Sequence, residues 1–198
     1  MIRQKILFSL AGAAIAVMAV SASGAGEFDA ADVKTMSSKE VVGAAWLLRS
    51  DDSIEVSVET SGLEPGAYTL WWVIYNNPAA CSDPCGSDDL PKNADADPAV
   101  GNSVLWADGA IVGEDGLAHF RARLSTDGAP GQVLWGPALT DAMGAEVHAV
   151  VRTHGPVNME ALADQLTTGR GGCRSVEELG RDECPNLQSA TFPAKQGM

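Results

Sequence analysis

Apolar and polar residues alternate over short stretches for most of this chain, and the alternation has the period of strands. Ile54, Val56 and Val58 interleave with Ser53, Glu55, Ser57 and Glu59, the pattern of a half-buried strand with one wet face. Before it lie an apolar run, Val41 to Leu48, and a polar break, Arg49 to Asp52. After it Ser61-Gly62-Leu63-Glu64-Pro65-Gly66 reads as a turn, proline fixing one dihedral and glycine admitting positive φ. Ala67 to Tyr75 follows with Tyr68, Leu70, Trp72 and Ile74 on one face and Thr69, Trp71, Val73 and Tyr75 on the other. Both faces are apolar, so this strand is expected at the centre, covered on both sides. Further strands are predicted at Ser103 to Trp106, Ala110 to Val112, Leu117 to Leu124 and Val133 to Leu139, the last broken by Gly136-Pro137. Another runs from Ala145 to Arg152 with Val147, Ala149 and Val151 as its apolar face, and Leu187 to Phe192 is expected as an edge strand. One helix is predicted, N-capped by Asn158 ahead of Met159, Leu162 and Leu166. Short strands separated by turn residues describe an all-β fold, an antiparallel sandwich or barrel.

The first residues follow another rule. Arg3 and Lys5 precede an unbroken apolar run, Ile6 to Val20, and small residues end at Ser23-Gly24-Ala25. That is the pattern of a secretory signal peptide spanning 1–25, with a polar, flexible lead-in over 26–38 and a single domain over 39–198. The implied address is periplasmic or secreted, with no membrane span after cleavage. The formal net charge is −13, and loss of the leader with Arg3 and Lys5 makes it more negative still. Such a surface repels phosphate backbones, which excludes nucleic acid as a partner.

An exported location makes disulfides the expected use of the four cysteines. They form two local pairs in sequence, Cys81 with Cys85 and Cys173 with Cys184. Three connectivities are open by counting; the local one pins two loops at about 2 to 3 kcal/mol each. Neither spacing is the tight C-x-x-C of zinc sites.

Val56 to Val73, VSVETSGLEPGAYTLWWV, resembles the strand, Gly-Leu-x-Pro-Gly hairpin turn and strand of copper/zinc superoxide dismutases and of the CHRD domains of secreted bacterial proteins. The resemblance covers about a tenth of the chain and implies an antiparallel Greek-key β-sandwich with one short helix and long disulfide-pinned loops. The positions matching the dismutase copper histidines hold Trp71 and Val73, which ligate no metal. The resemblance therefore implies a fold without implying dismutase activity.

Three groups of residues carry candidate chemistry. Trp71 and Tyr75 share a strand face, with Trp46, Trp106 and Trp135 elsewhere in the chain; where exposed, such a face stacks on a sugar ring or docks a partner protein at the cell envelope. The loop from Asn76 to Pro98 carries Asp83, Asp88, Asp89, Asp95 and Asp97, of which Asp95 and Asp97 form the most compact calcium candidate, without the full EF-hand spacing. Glu146, His148, Val150, Arg152 and His154 share one strand face, and His148 or His154 could hold zinc or copper. Those two histidines stand roughly 20 Å apart along an extended strand, so each needs partners from elsewhere, His119 among them. No nucleophile elbow, zincin helix, P-loop or dinucleotide-binding glycine pattern is present. The cofactor is not specified by any motif. The expected function is an exported, non-enzymatic binding or structural domain, with metal binding as the alternative.

Overall fold

A computed structural model describes residues 26–82, 84–90, 98–128, 133–173 and 184–195. Nine antiparallel strands form one curled sheet: β1 (Glu27–Thr35), β2 (Val41–Arg49), β3 (Ser53–Thr60), β4 (Gly66–Tyr75), β5 (Asn102–Val112), β6 (Ala118–Ser125), β7 (Val133–Trp135), β8 (Glu146–Thr153) and β9 (Asn186–Phe192). A six-residue helix, α1 (Leu162–Thr167), precedes β9. The spatial order is β6-β3-β2-β1-β9-β8-β4-β5-β7. No helix among the described residues is long and apolar enough to cross a membrane. The predicted signal peptide lies outside the described residues.

The order has a weak seam. β1 registers along its length with β2 but meets β9 only at Lys34↔Ser189 and Thr35↔Gln188. The sheet folds over there into two layers, β6-β3-β2-β1 and β9-β8-β4-β5-β7. At the open side β5 returns towards β6, and the Arg121 backbone N–H donates to Asp108 Oδ2 at 2.8 Å. Around that closure the neighbours run β3, β6, β5, β4, so the chain returns beside its starting strand as a Greek key requires. The turn at residues 61–65 is thus a crossover between layers and not the hairpin expected. Its Leu63 is buried in the core, and Gly62 takes a φ of 74° that a side chain would resist.

Alternation decides what fills the space between the layers. Leu47, Ile54, Val56, Val58 and Phe120 from one layer meet Tyr68, Leu70, Trp72, Ile74, Leu105, Val147, Val151 and Phe192 from the other. The outward residues of β4 are covered as well, in a second cluster of Trp71, Val73, Tyr75, Cys85, Val100, Val104 and Val150. Every residue of β4 is buried, as its two apolar faces predicted.

Five expectations need correction. Residues 26–38 were expected as a lead-in but supply β1, whose inward side carries Asp29, Ala31 and Val33. Asp29 is held by Arg49 and Lys195, so ion pairing stands where an apolar period would have announced a strand. Arg49, expected in a polar break, ends β2 fully buried and donates to the carbonyls of Ala142, Ala145, Phe192 and Pro193. The two strands expected between Ser103 and Val112 are one, β5, bulged where Trp71 pairs Trp106 and Leu70 pairs Asp108, leaving Ala107 extra. β9 is an interior strand between β1 and β8, not an edge. The helix is also shorter than expected: Asn158 Oδ1 accepts from the Glu160 N–H in a local turn, Met159 is exposed, and Ala161 stands at the N-cap.

Candidate functional site

The outer face of the five-stranded layer holds a cleft of about 520 Å³. Its floor is built by strand alternation: Trp71 and Val73 from β4, Val104 from β5 and Val150 from β8 all point away from the main core. Leu90, Leu134 and Trp135 wall it on one side, and Arg152, Thr168, Gly169, Arg170 and Asn186 supply its polar rim. The segment after α1 runs close over the cleft at Gly169, where a Cβ would stand 3.3 Å from the Leu134 side chain and in ordinary contact with the Trp71 indole.

The rim is held by hydrogen bonds. Arg152 donates from Nη1 to the Gly169 carbonyl at 2.8 Å and from Nε to Asn186 Oδ1 at 2.9 Å. Trp135 is different: its indole N–H is buried and finds no acceptor among the described residues. A buried donor left unpaired costs roughly 1–3 kcal/mol.

Beneath the floor a polar chain runs from Trp71 to the second cysteine pair. Trp71 Nε1 donates to Thr69 Oγ1 at 2.7 Å, and Thr69 Oγ1 lies 2.8 Å from His154 Nε2. His154 Nδ1 lies 2.8 Å from the Gly171 carbonyl. A carbonyl only accepts, so Nδ1 carries the proton, Nε2 accepts from the Thr69 hydroxyl, and the hydroxyl oxygen remains free to accept from Trp71. Burial pushes the His154 pKa below its ordinary value, against the raising effect of the Gly171 carbonyl, and nearby Arg152 lowers it further. That direction favours the neutral imidazole this bonding pattern uses.

The cysteines close locally, Cys81 with Cys85 at a Cα–Cα distance of 5.1 Å and Cys173 with Cys184 at 5.8 Å. Cys184 Sγ lies 3.4 Å and Cys173 Sγ 3.7 Å from His154 Nδ1. Among the described residues these three form the one group of three that could surround a metal ion, their ligand atoms within 4.8 Å of one another.

The other candidates separate. Trp71 lines the cleft, although only 2% of it is exposed, whereas Tyr75 is buried away from the cleft with its hydroxyl donating to the Gly86 carbonyl at 2.8 Å. Burial pushes the Tyr75 pKa well above its ordinary value. His148 shares the outward face of β8 as alternation predicted, but it sits 2.7 Å from Glu146 and against the Tyr75 ring, with no third ligand among the described residues. His119 lies on β6, exposed, within 3.2 Å of Ser57 Oγ, in the other layer. The three histidines do not converge. Asp83, Asp95 and Asp97 lie outside the described residues. Asp89 is occupied as a loop brace, accepting from the backbone N–H groups of Ser82 and Gly86, each at 2.8 Å. Trp106 donates to the Leu166 carbonyl at 2.9 Å and so ties α1 to β5.

Sequence reasoning named Trp71 and His154 but missed Thr69 between them and the rim at Gly169 and Arg170. A Trp two residues after a Thr on a strand face was the available signal for the first. Nothing local marked the rim, which a distant segment brings over the sheet. Comparison with protein-family models, with curated proteins and with solved structures finds no match. The site must therefore be interpreted from its own chemistry.

Proposed function

We propose that this chain is a non-enzymatic binding domain working outside the cytoplasm, and that it takes a small ligand with an apolar body and an anionic end into the cleft over Trp71. The observation that carries this reading is the composition of the cleft: an apolar, partly aromatic floor of concave shape, with a few polar groups gathered on one rim. Arg152 and Arg170 sit on that rim, and guanidinium groups favour carboxylate ends. The described lining offers no carboxylate, thiol or imidazole, which supports binding over turnover. The overall charge of −13 opposes anions at long range, so apolar burial has to supply most of the affinity. Flat stacking on a sugar is less well supported, because Trp71 is only 2% exposed. Two locally closed cysteine pairs fit an oxidising compartment.

Intrinsic tryptophan fluorescence and thermal shift, titrated with decanoate, with an aromatic carboxylate, with their amides and with a neutral oligosaccharide, test this reading. The carboxylates should bind, and their amides roughly tenfold more weakly. Val150→Phe, which fills the floor, should abolish binding while keeping the fold. Equal binding by Val150→Phe, or no response to any carboxylate, would overturn the proposal.

A further inference from the structure

The second cysteine pair is built around a histidine, and the first is not. His154 and Cys184 are each only 3% exposed, and Cys173 is half-buried, so the group is sheltered. The disulfide between them leaves the imidazole without a covalent or ionic task.

We infer that Cys173, Cys184 and His154 form a redox-gated zinc site, closed while the disulfide stands and opened when a dithiol reductant reduces it. The geometry is that of a ligand set. Zinc bonds of about 2.3 Å to sulfur and about 2.0–2.1 Å to nitrogen, at tetrahedral angles, separate the nitrogen and sulfur by about 3.5 Å. The observed separations from Nδ1 are 3.4 Å and 3.7 Å. Cleaving the bond between the two sulfurs frees them to take separate ligand positions. Two sulfurs and one imidazole are a known zinc set with a fourth position open to water.

The chemistry balances. The reductant's two thiols pass two electrons to the S–S bond and become a disulfide, while Cys173 and Cys184 become thiols. Zinc binding then displaces one proton from each thiol, so two protons are released to solvent. Coordination through Nδ1 moves the imidazole proton to Nε2, where Thr69 Oγ1 at 2.8 Å accepts it. Thr69 is thereby the partner that orients the ligating ring, as histidine ligands of metals require. The Gly171 carbonyl loses its donor and turns to solvent or to the metal-bound water.

The test uses the whole chain, reduced with a phosphine that is then removed under anaerobic conditions, and zinc alone as probe against a chromophoric chelator. One equivalent should bind the reduced chain and none the oxidised chain, and cobalt(II) in its place should show a thiolate charge-transfer band. Cys81→Ser/Cys85→Ser should bind as the parent does. Cys173→Ser/Cys184→Ser should lose the site, and His154→Gln should bind at least tenfold more weakly. Circular dichroism follows the fold throughout. A reduced chain that unfolds and is refolded by zinc supports the inference; one that zinc leaves unfolded overturns it. Equal binding by oxidised chain, or by His154→Gln, also overturns it. The cleft is not involved, so failure here leaves the carboxylate titrations untouched.

Discussion

Arg49 shows how much one residue can hold. Its guanidinium is fully buried, yet five acceptors surround it: the carbonyls of Ala142, Ala145, Phe192 and Pro193, and the Asp29 carboxylate at 3.3 Å. Burial lowers its pKa and Asp29 opposes that, but an arginine stays charged at any pH the protein meets. Arg49→Met leaves those acceptors buried without donors, which should cost roughly 3–5 kcal/mol in chemical denaturation. Arg49→Lys keeps the charge without the planar fork and should recover only part of that. A loss below about 1 kcal/mol for Arg49→Met would show that the carbonyls find water instead. Asp89 gives a pH dependence. Donation from Ser82 and Gly86 backbone N–H groups holds its carboxyl below the usual 3.8. The folded chain then binds this proton less readily than the unfolded chain, so the contribution is complete above about pH 4 and is lost as pH falls below it. Thermal melts from pH 6 to pH 2.5 should show a shallower acid limb for Asp89→Asn than for the parent; identical limbs would remove Asp89 from the account.

Among the elements, α1 takes a position that depends on the absence of a side chain. It lies over β4 and β5, and a Cβ at Gly109 would fall on the Leu166 carbonyl, the acceptor of the Trp106 indole N–H. Gly109→Ala should therefore push α1 outward at a cost of about 1–3 kcal/mol. Because the cleft rim at Thr168 to Arg170 follows directly from α1, carboxylate affinity should fall with it. A variant destabilised with unchanged affinity would detach the rim from the helix. The strands themselves were largely legible: β3 alternates from Ile54 onward, β8 alternates apart from Val150 on its outward face, and β4 declares two covered faces. β1 was not, because its inward Asp29 is neutralised by residues distant in sequence, Arg49 and Lys195. The place of β9 was hidden for a similar reason, since inward Gln188 is satisfied by Thr60 and Ser61. At the site, alternation placed Trp71, His148 and Arg152 on outward faces, but their neighbours come from loops whose approach no local pattern encodes. The two cysteines beside His154 follow it by 19 and 30 positions. A distance argument along one strand could not reach them.

The two layers share backbone pairing only at a short β1–β9 stretch, with β5 returning to β6 on the other side through Asp108, so most of what keeps them face to face is the core and the polar clips at its ends. Arg49 is one clip, joining the end of β2 to the carbonyls at the end of β9. Gln188 is the other: buried on β9, it accepts from the Thr60 hydroxyl at 2.7 Å and donates to the Ser61 carbonyl at 2.9 Å, reaching the crossover between layers. The four-residue step from Gln188 to Phe192 along β9 spans roughly 13 Å, and the two clips share no partner. Gln188→Leu removes one donor and one acceptor from buried groups and should cost roughly 1–3 kcal/mol. If the core itself holds the layers in register, the Arg49→Met and Gln188→Leu losses should add within about 0.5 kcal/mol, and the double variant should still unfold in one transition. A coupling well above that, or a second transition in denaturant, would mean that the layers are separable units held together by their clips. In that case the cleft, which lies wholly on the five-stranded layer, should survive the first transition and continue to bind its ligand.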